Sequence, residues 1–368
     1  MIRQTISALL AASALALPVY AQTEPAKPAK PATRVQPPSR VVIQQEQRER
    51  AIERERQRTM QRDNNRAQQT ERLEHTFTLG GSGELQVSNL TGDITITRGG
   101  GTQIRVEAIK TARARTEQQA RELLPAVRVE FLERGGRAEI KAIYPRENLG
   151  GSNARNVSVS VAYTITAPEG TSINVRTLTG HVKVTGVKGE LSLVSLSGDV
   201  RIFDGARVSS ATSTSGDVEI RDLQAKTPLE ARSTSGNIIV ANSRVPRMEL
   251  GTISGTVTVE NVQSEQIEAQ TLSGDLILAF PFAKNGRYDL NSHSGNVHIT
   301  LVGDTGFELD ANSFSGNVQS AVTLVDRASG TNDPARAGRM RRLRGRYGDG
   351  NALIDVTTFS GNVVITRK

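Results

Sequence analysis

Between Leu178 and Val318 one short phrase returns eight times, and nothing else in the chain constrains the fold as strongly. It reads TLTGHVKV, SLSGDVRI, STSGDVEI, STSGNIIV, TISGTVTV, TLSGDLIL, SHSGNVHI and SFSGNVQS. Its glycines are Gly180, Gly198, Gly216, Gly236, Gly255, Gly274, Gly295 and Gly316. The phrase also occurs at Gly92 (NLTGDITI) and at Gly361 (TFSGNVVI). A near-constant period of about 20 residues predicts a solenoid in which each repeat is one coil.

Aligned on the glycine, positions −7 and −5 are mostly apolar, as in Ile173 and Val175 or Met248 and Leu250. Position −3 is Ser or Thr, and position −2 is usually apolar (Leu178, Leu196, Ile253, Leu272, Phe314, Phe359). Positions +2 and +4 are apolar, as in Val200 and Ile202. Alternation on both sides predicts two strands per coil. The parity change between −3 and −2 predicts a bend there, at a corner where glycine is tolerant and Ser, Thr, Asp and Asn hydrogen-bond the backbone. Equivalent strands would stack in parallel about 4.8 Å apart. Val187, Leu223 or Val262 would close the coil at a third corner, and Ala211, Thr214, Ala231 and Thr234 suggest a thin core in the middle coils.

The flanks are of another kind. Residues 1–21 have the layout of a secretory signal: Arg3, the apolar run ISALLAASALAL, Pro18, then Val19-Tyr20-Ala21, with cleavage expected between Ala21 and Gln22. Residues 22–40 form a Pro/Ala-rich linker. Residues 41–74 are a charged Arg/Glu/Gln-rich arm without an apolar stripe, expected to be helical or disordered. Residues 75–170 hold the first coil and an N-terminal cap. That cap contains a short helix opened by Thr116 and Gln119 and closed by Pro125, and a hairpin around Gly135-Gly136. The solenoid proper spans 171–368 and carries a basic loop over 326–350. No stretch after the signal is apolar enough to span a membrane.

The TxSGDVxI repeat, the approach VSVSVAYTITAPEGTSINVRTLTGHVKV and the ending RGRYGDGNALIDVTTFSGNVVITRK resemble the bacterial "putative adhesin" family of exported repeat proteins, a domain of unknown function. The resemblance covers about residues 75–368. It implies an all-β fold, a right-handed parallel β-solenoid with coils of about 20 residues, in an envelope-associated protein. It brings no catalytic residues with it.

The chemistry-bearing residues point away from catalysis. There is no Cys, which excludes disulfides, Cys-ligated zinc and thiol chemistry. His75, His181, His293 and His298 lie in no zinc-protease or hydrolase motif, and the serines lack a Gly-x-Ser-x-Gly elbow. The residue after each glycine is most often Asp or Asn, which stabilises turns; adjacent carboxylates such as Asp199 and Asp217 could share a cation, with turn stabilisation the expected role. No cofactor is implied. The net charge of +8 favours anionic partners. Arg336, Arg339, Arg341, Arg342, Arg344 and Arg346 crowd the basic loop, and guanidinium groups bind phosphate and carboxylate in bidentate fashion.

The expected function is therefore a non-catalytic exported protein of the periplasm or cell surface, in adhesin-like binding or envelope structure. Its expected partner is an anionic envelope polymer or an envelope protein. Nucleic acid is not expected, because export removes the chain from it and stacking aromatics are sparse. The alternatives are a polysaccharide-active β-helix enzyme and an envelope-stress accessory protein whose arm contacts a partner.

Overall fold

The structure, a computed structural model, describes residues 67–80, 82–145, 157–325 and 341–368. The signal segment with the Ala21–Gln22 junction, the linker, the arm up to residue 66, Arg336 and Arg339 lie outside the described residues.

Among the described residues the repeats and the flanking cap strands build two 13-stranded sheets. Each coil gives its longer strand to one sheet and its shorter strand to the other. Thus Glu190–Ser197 pairs in parallel with Ser172–Thr179 and Arg207–Ser215, while Val200–Phe203 pairs with Val182–Thr185 and Val218–Arg221. Leu191 and Leu193 point inward from the long strand and meet Val200 and Ile202 from the short one, all buried. Val187, Leu223, Val245 and Val262 close the third side of their coils and are fully buried. A second corner follows the short strand, where Gly186, Asp204, Asp222, Asn242 and Asn261 all have positive φ. Asp and Asn tolerate this left-handed conformation better than other side chains do.

The repeat glycines stack in one column. A Cβ on Gly274 would overlap the carbonyl of Gly255, and the same holds at each step from Gly180 over Gly92 up to Gly295 over Gly274. Gly274 also has φ +157. Glycine is required here by the close approach of the neighbouring coil as well as by conformation.

The bend lies at the glycine and not between −3 and −2. The long strand runs to position −1, so the −3 hydroxyl is buried and the −2 side chain is turned out to solvent. Thr214 and Thr234 are accordingly outside, and only Ala211 and Ala231 thin the core.

At the N-terminal end the charged arm is not wholly helical or disordered. Its last part belongs to the strand Ala67–Phe77, antiparallel to Ile104–Ala114. Cross-strand pairing and the buried Phe77 supply what a lone helix would lack. Ile104–Ala114 pairs with Ser158–Pro168, which joins the stack beside Ile94–Gly99. The hairpin Arg128–Arg134 and Arg137–Ile143 extends the other sheet past Glu84–Thr91. Helix α1, Glu117–Leu123, starts where the Thr116 hydroxyl accepts from Gln119 N at 3.3 Å. Buried Lys110 ties this end together, donating to the carbonyls of Leu124 and Val127 and pairing with Glu71 at 2.6 Å.

The C-terminal coil leaves chain order. Ala352–Ser360 lies between Arg287–Ser294 and Phe307–Ser313, and Val363–Arg367 lies between Val297–Leu301 and Val318–Ser320. Gly361 therefore sits on Gly295, and Gly316 sits on Gly361. Arg342–Tyr347, expected as part of a loop, is a strand antiparallel to Phe307–Ser313. This order leaves the very short strand Val318–Ser320 and an arginine-rich strand as the outer edges. Short or charged edges resist further strand pairing.

Gly274→Ala is expected to lower unfolding stability by more than about 3 kcal/mol. Gly251→Ala, where an added Cβ meets nothing within 4 Å, should be neutral or stabilising by up to about 1 kcal/mol. Urea unfolding of the two variants checks the contrast.

Candidate functional site

Two side-chain ladders line the glycine column. From inside, in the coils from Ser195 onward, the −3 hydroxyl donates to the glycine carbonyl of the adjacent coil. Ser213 reaches Gly198 O at 2.9 Å, Ser233 reaches Gly216 O at 3.0 Å, Thr252 reaches Gly236 O at 3.0 Å and Thr358 reaches Gly295 O at 3.1 Å. From outside, the +1 side chain accepts the backbone N–H at +1 of the next coil. Asp199 Oδ1 accepts from Asp217 N at 3.0 Å, Asp217 Oδ1 from Asn237 N at 2.7 Å, and Asn237 Oδ1 from Thr256 N at 2.9 Å. His181 keeps the pattern with Nδ1, which accepts from Asp199 N at 3.0 Å. The second oxygen of Asp199 binds Arg201 at 2.8 Å. Each of these +1 residues thus commits one acceptor atom to the backbone of the next coil. No cluster of three metal-ligating side chains occurs among the described residues.

On the outer side of the long-strand sheet three columns run beside one another. The first is apolar and consists of the side chains at position −2. Ile253 is 51% exposed, Leu272 52%, Phe359 47% and Phe314 62%. His293 stacks on Phe359 at 5.0 Å between centroids, and Phe359 stacks on Phe314 at 4.8 Å. The second column, at −4, is small or neutral: Gly251, Gln270, Asn291, Thr357 and Asn312. The third, at −6, is acidic. Glu230, Glu249, Glu268, Asp289, Asp355 and Asp310 stand in register on successive coils. Exposed hydroxyls at −1, such as Ser254, Ser273 and Ser294, border the apolar column. An open groove of about 650 Å³ runs along this track, with Thr214 and Thr234 at one end, Gly251 on its floor, and Ile253, Leu272, His293 and Phe359 along its side.

Charge compensation along the acidic column is uneven. Arg232 pairs with Glu230 at 2.6 Å and also with Glu249. Arg342 and Arg344 converge on Asp310, at 3.2 and 2.6 Å, and Arg344 foremost holds that carboxyl below its ordinary range. Between these ends, among the described residues, Glu268 and Asp289 meet only amides, Gln270 at 2.6 Å and Asn291 at 2.7 Å. Asp355 is pushed up, first by desolvation and then by Asp289 and Asp310.

Two of the arginines expected to bind anions, Arg342 and Arg344, are thus engaged within the chain. Arg346 donates to the Asp349 carbonyl, and the Arg341 carbonyl accepts from Ser313 N at 2.7 Å. They lie at the end of the acidic column. The apolar character of position −2 is plain in the sequence, where the parity change at −3 and −2 points to a bend. The exposure of these side chains was legible only in the strict inward alternation of −7, −5 and −3.

A family model described as Toastrack DUF4097 matches residues 82–366. The chain belongs to the Toastrack DUF4097 family. No curated protein sequence matches it. Solved structures with some likeness include a "putative lipid binding protein" from Parabacteroides distasonis, at 12% identity and TM-score 0.40, with 81% of this chain and 96% of that one covered. A "putative adhesin" from Bacteroides fragilis aligns at 11% identity and TM-score 0.34, covering 81% of this chain and 97% of that one. A "putative cell adhesion protein" from Clostridium sporogenes aligns at 11% and 0.25, covering 82% and 100%. Likeness at these values bears on none of the columns above.

Asp355→Asn tests the crowding of the acidic column. A carboxyl whose folded pKa is raised costs stability as pH climbs through that pKa, and costs nothing below its unfolded value. The variant should therefore melt slightly higher than the parent at pH 7, on the order of 1 °C for so exposed a group. The difference should vanish toward pH 3, as thermal melts across that range will read.

Proposed function

We propose that this Toastrack DUF4097 protein is an exported, non-catalytic binding scaffold that holds an elongated partner lengthwise along the outer track of its long-strand sheet. The observation that carries this is the apolar −2 column. Nothing in the coil's own packing requires Ile253, Leu272, Phe359 or Phe314 to be apolar, because each is about half exposed or more. Rows of large exposed apolar side chains on a folded protein mark contact surfaces. The signal-like residues 1–21 support export. Anionic envelope polymers remain a partner class for the basic segment, through Arg336, Arg339 and Arg341, and not for the track, whose acidic column repels them.

Co-sedimentation of the mature protein with an envelope fraction tests this reading. Ile253→Ser/Leu272→Ser/Phe359→Ser should keep its fold and lose binding at least 10-fold, while Arg339→Ala/Arg341→Ala/Arg342→Ala/Arg344→Ala keeps it. The opposite result would move the site to the basic segment. Release of new reducing ends from acidic polysaccharides would replace the scaffold with an enzyme.

A further inference from the structure

On the basis of that reading, we infer that the partner of the track is a cationic amphipathic helix lying along the stacking axis, its apolar ridge on the −2 column and its Lys or Arg side chains over the −6 column.

The dimensions fit. Columns −2 and −6 lie four positions apart on one strand, about 13 Å. An α-helix with its side chains is about 10–12 Å across. The floor between the columns is the −4 row, where Gly251 has no side chain and Gln270, Asn291 and Thr357 are neutral. The repeats also match. Coils rise by about 4.8 Å and a helix by about 5.4 Å per turn. A ridge of side chains spaced three or four positions apart would therefore offer about one apolar group per coil. From the Ile253 coil to the Phe314 coil is about 19 Å. Over that span helix and coils drift apart by only about 2–3 Å, and about 15 residues of helix cover it.

The charge pattern selects the sign. Arg232 answers the acidic column at one end, and Arg342 and Arg344 answer it at the other. Glu268, Asp289 and Asp355 stand between on consecutive coils, alongside Leu272, His293 and Phe359. Among the described residues Glu268 and Asp289 are met only by amides on their own strands, and Asp355 stands between two like charges, with Arg287 and Arg344 acting against them. A partner's cations would relieve this repulsion while its apolar ridge covers the exposed column. A second copy of the chain would bring the same acidic column to the interface, and an anionic lipid surface would add negative charge to it. Both are disfavoured by the complementarity that a cationic helix satisfies.

The test uses the mature full-length chain and three fluorescent peptides of about 18 residues, followed by anisotropy at about 0.15 M salt. The first has Leu at every third or fourth position and Lys on one flank. The second has the same composition scrambled to remove the ridge. The third keeps the ridge with Glu for Lys. The first should bind at least 10-fold tighter than the second, and the third should not bind. Leu272→Ser/Phe359→Ser should weaken the first peptide at least 10-fold. Glu268→Gln/Asp289→Asn should weaken it and flatten its salt dependence, with circular dichroism confirming that both variants stay folded. Equal affinity for ridged and scrambled peptides, or affinity untouched by either double substitution, overturns the inference. If that occurs while the Ile253/Leu272/Phe359 variant still loses envelope binding, the scaffold reading stands and only the partner's chemistry is wrong.

Discussion

The fold depends on how main chain meets main chain at the glycine corner. A backbone that turns sharply must leave the ladder for a residue or two, and an unmet buried donor or acceptor costs about 1–3 kcal/mol. This chain meets that demand with side chains. A hydroxyl at −3 answers the glycine carbonyl from within, and an Asp, Asn or His at +1 answers the next N–H from without. Both contacts require coils so close that the corner has no room for a Cβ. Glycine, hydroxyl and amide or carboxylate are thus one device, repeated because each coil is stabilised mainly by its neighbours.

That device leaves the outside of the long strands unconstrained. Inward positions are held to Val, Ile, Leu, Ala and small hydroxyls, and the corner to its three residue types. Positions −2, −4 and −6 are free, yet from Ile253 to Phe314 they are ordered into an apolar, a neutral and an acidic row. At Asp355 desolvation first, and then the like charges of Asp289 and Asp310, weigh against the fold. An arrangement that folding does not need, and that partly opposes it, is the kind expected where a partner binds.

The same regularity explains the displaced C-terminal coil. Every repeat presents the same corner chemistry, so the segment around Gly361 fits any rung. The rung it takes, between Gly295 and Gly316, is decided at the end of the stack. There Arg342–Tyr347 covers Phe307–Ser313, Arg342 and Arg344 find Asp310, and Tyr347 stacks on Phe307 at 5.4 Å. A coil placed in chain order would leave the long strand Ala352–Ser360 as an open edge instead.

The sequence by itself determined the coil: its length, its two strands, its inward residues and the glycine at its corner. These are local, and period and alternation express them directly. The cap helix was equally legible, because Thr116, Gln119 and Pro125 lie close together in the chain. The strand Ala67–Phe77 was not, since its partner is distant in sequence, with Phe77 facing Ile104 at one end and Ala67 facing Ala114 at the other. The track was half legible. Position −2 was visibly apolar, but which side of the sheet it faces follows from where the strand bends, and the acidic row becomes a row only when coils are stacked in register. Tertiary structure alone decided the order of the last two coils and the engagement of Arg342 and Arg344 by Asp310, because identical corners are interchangeable until long-range contacts at the end of the stack distinguish them.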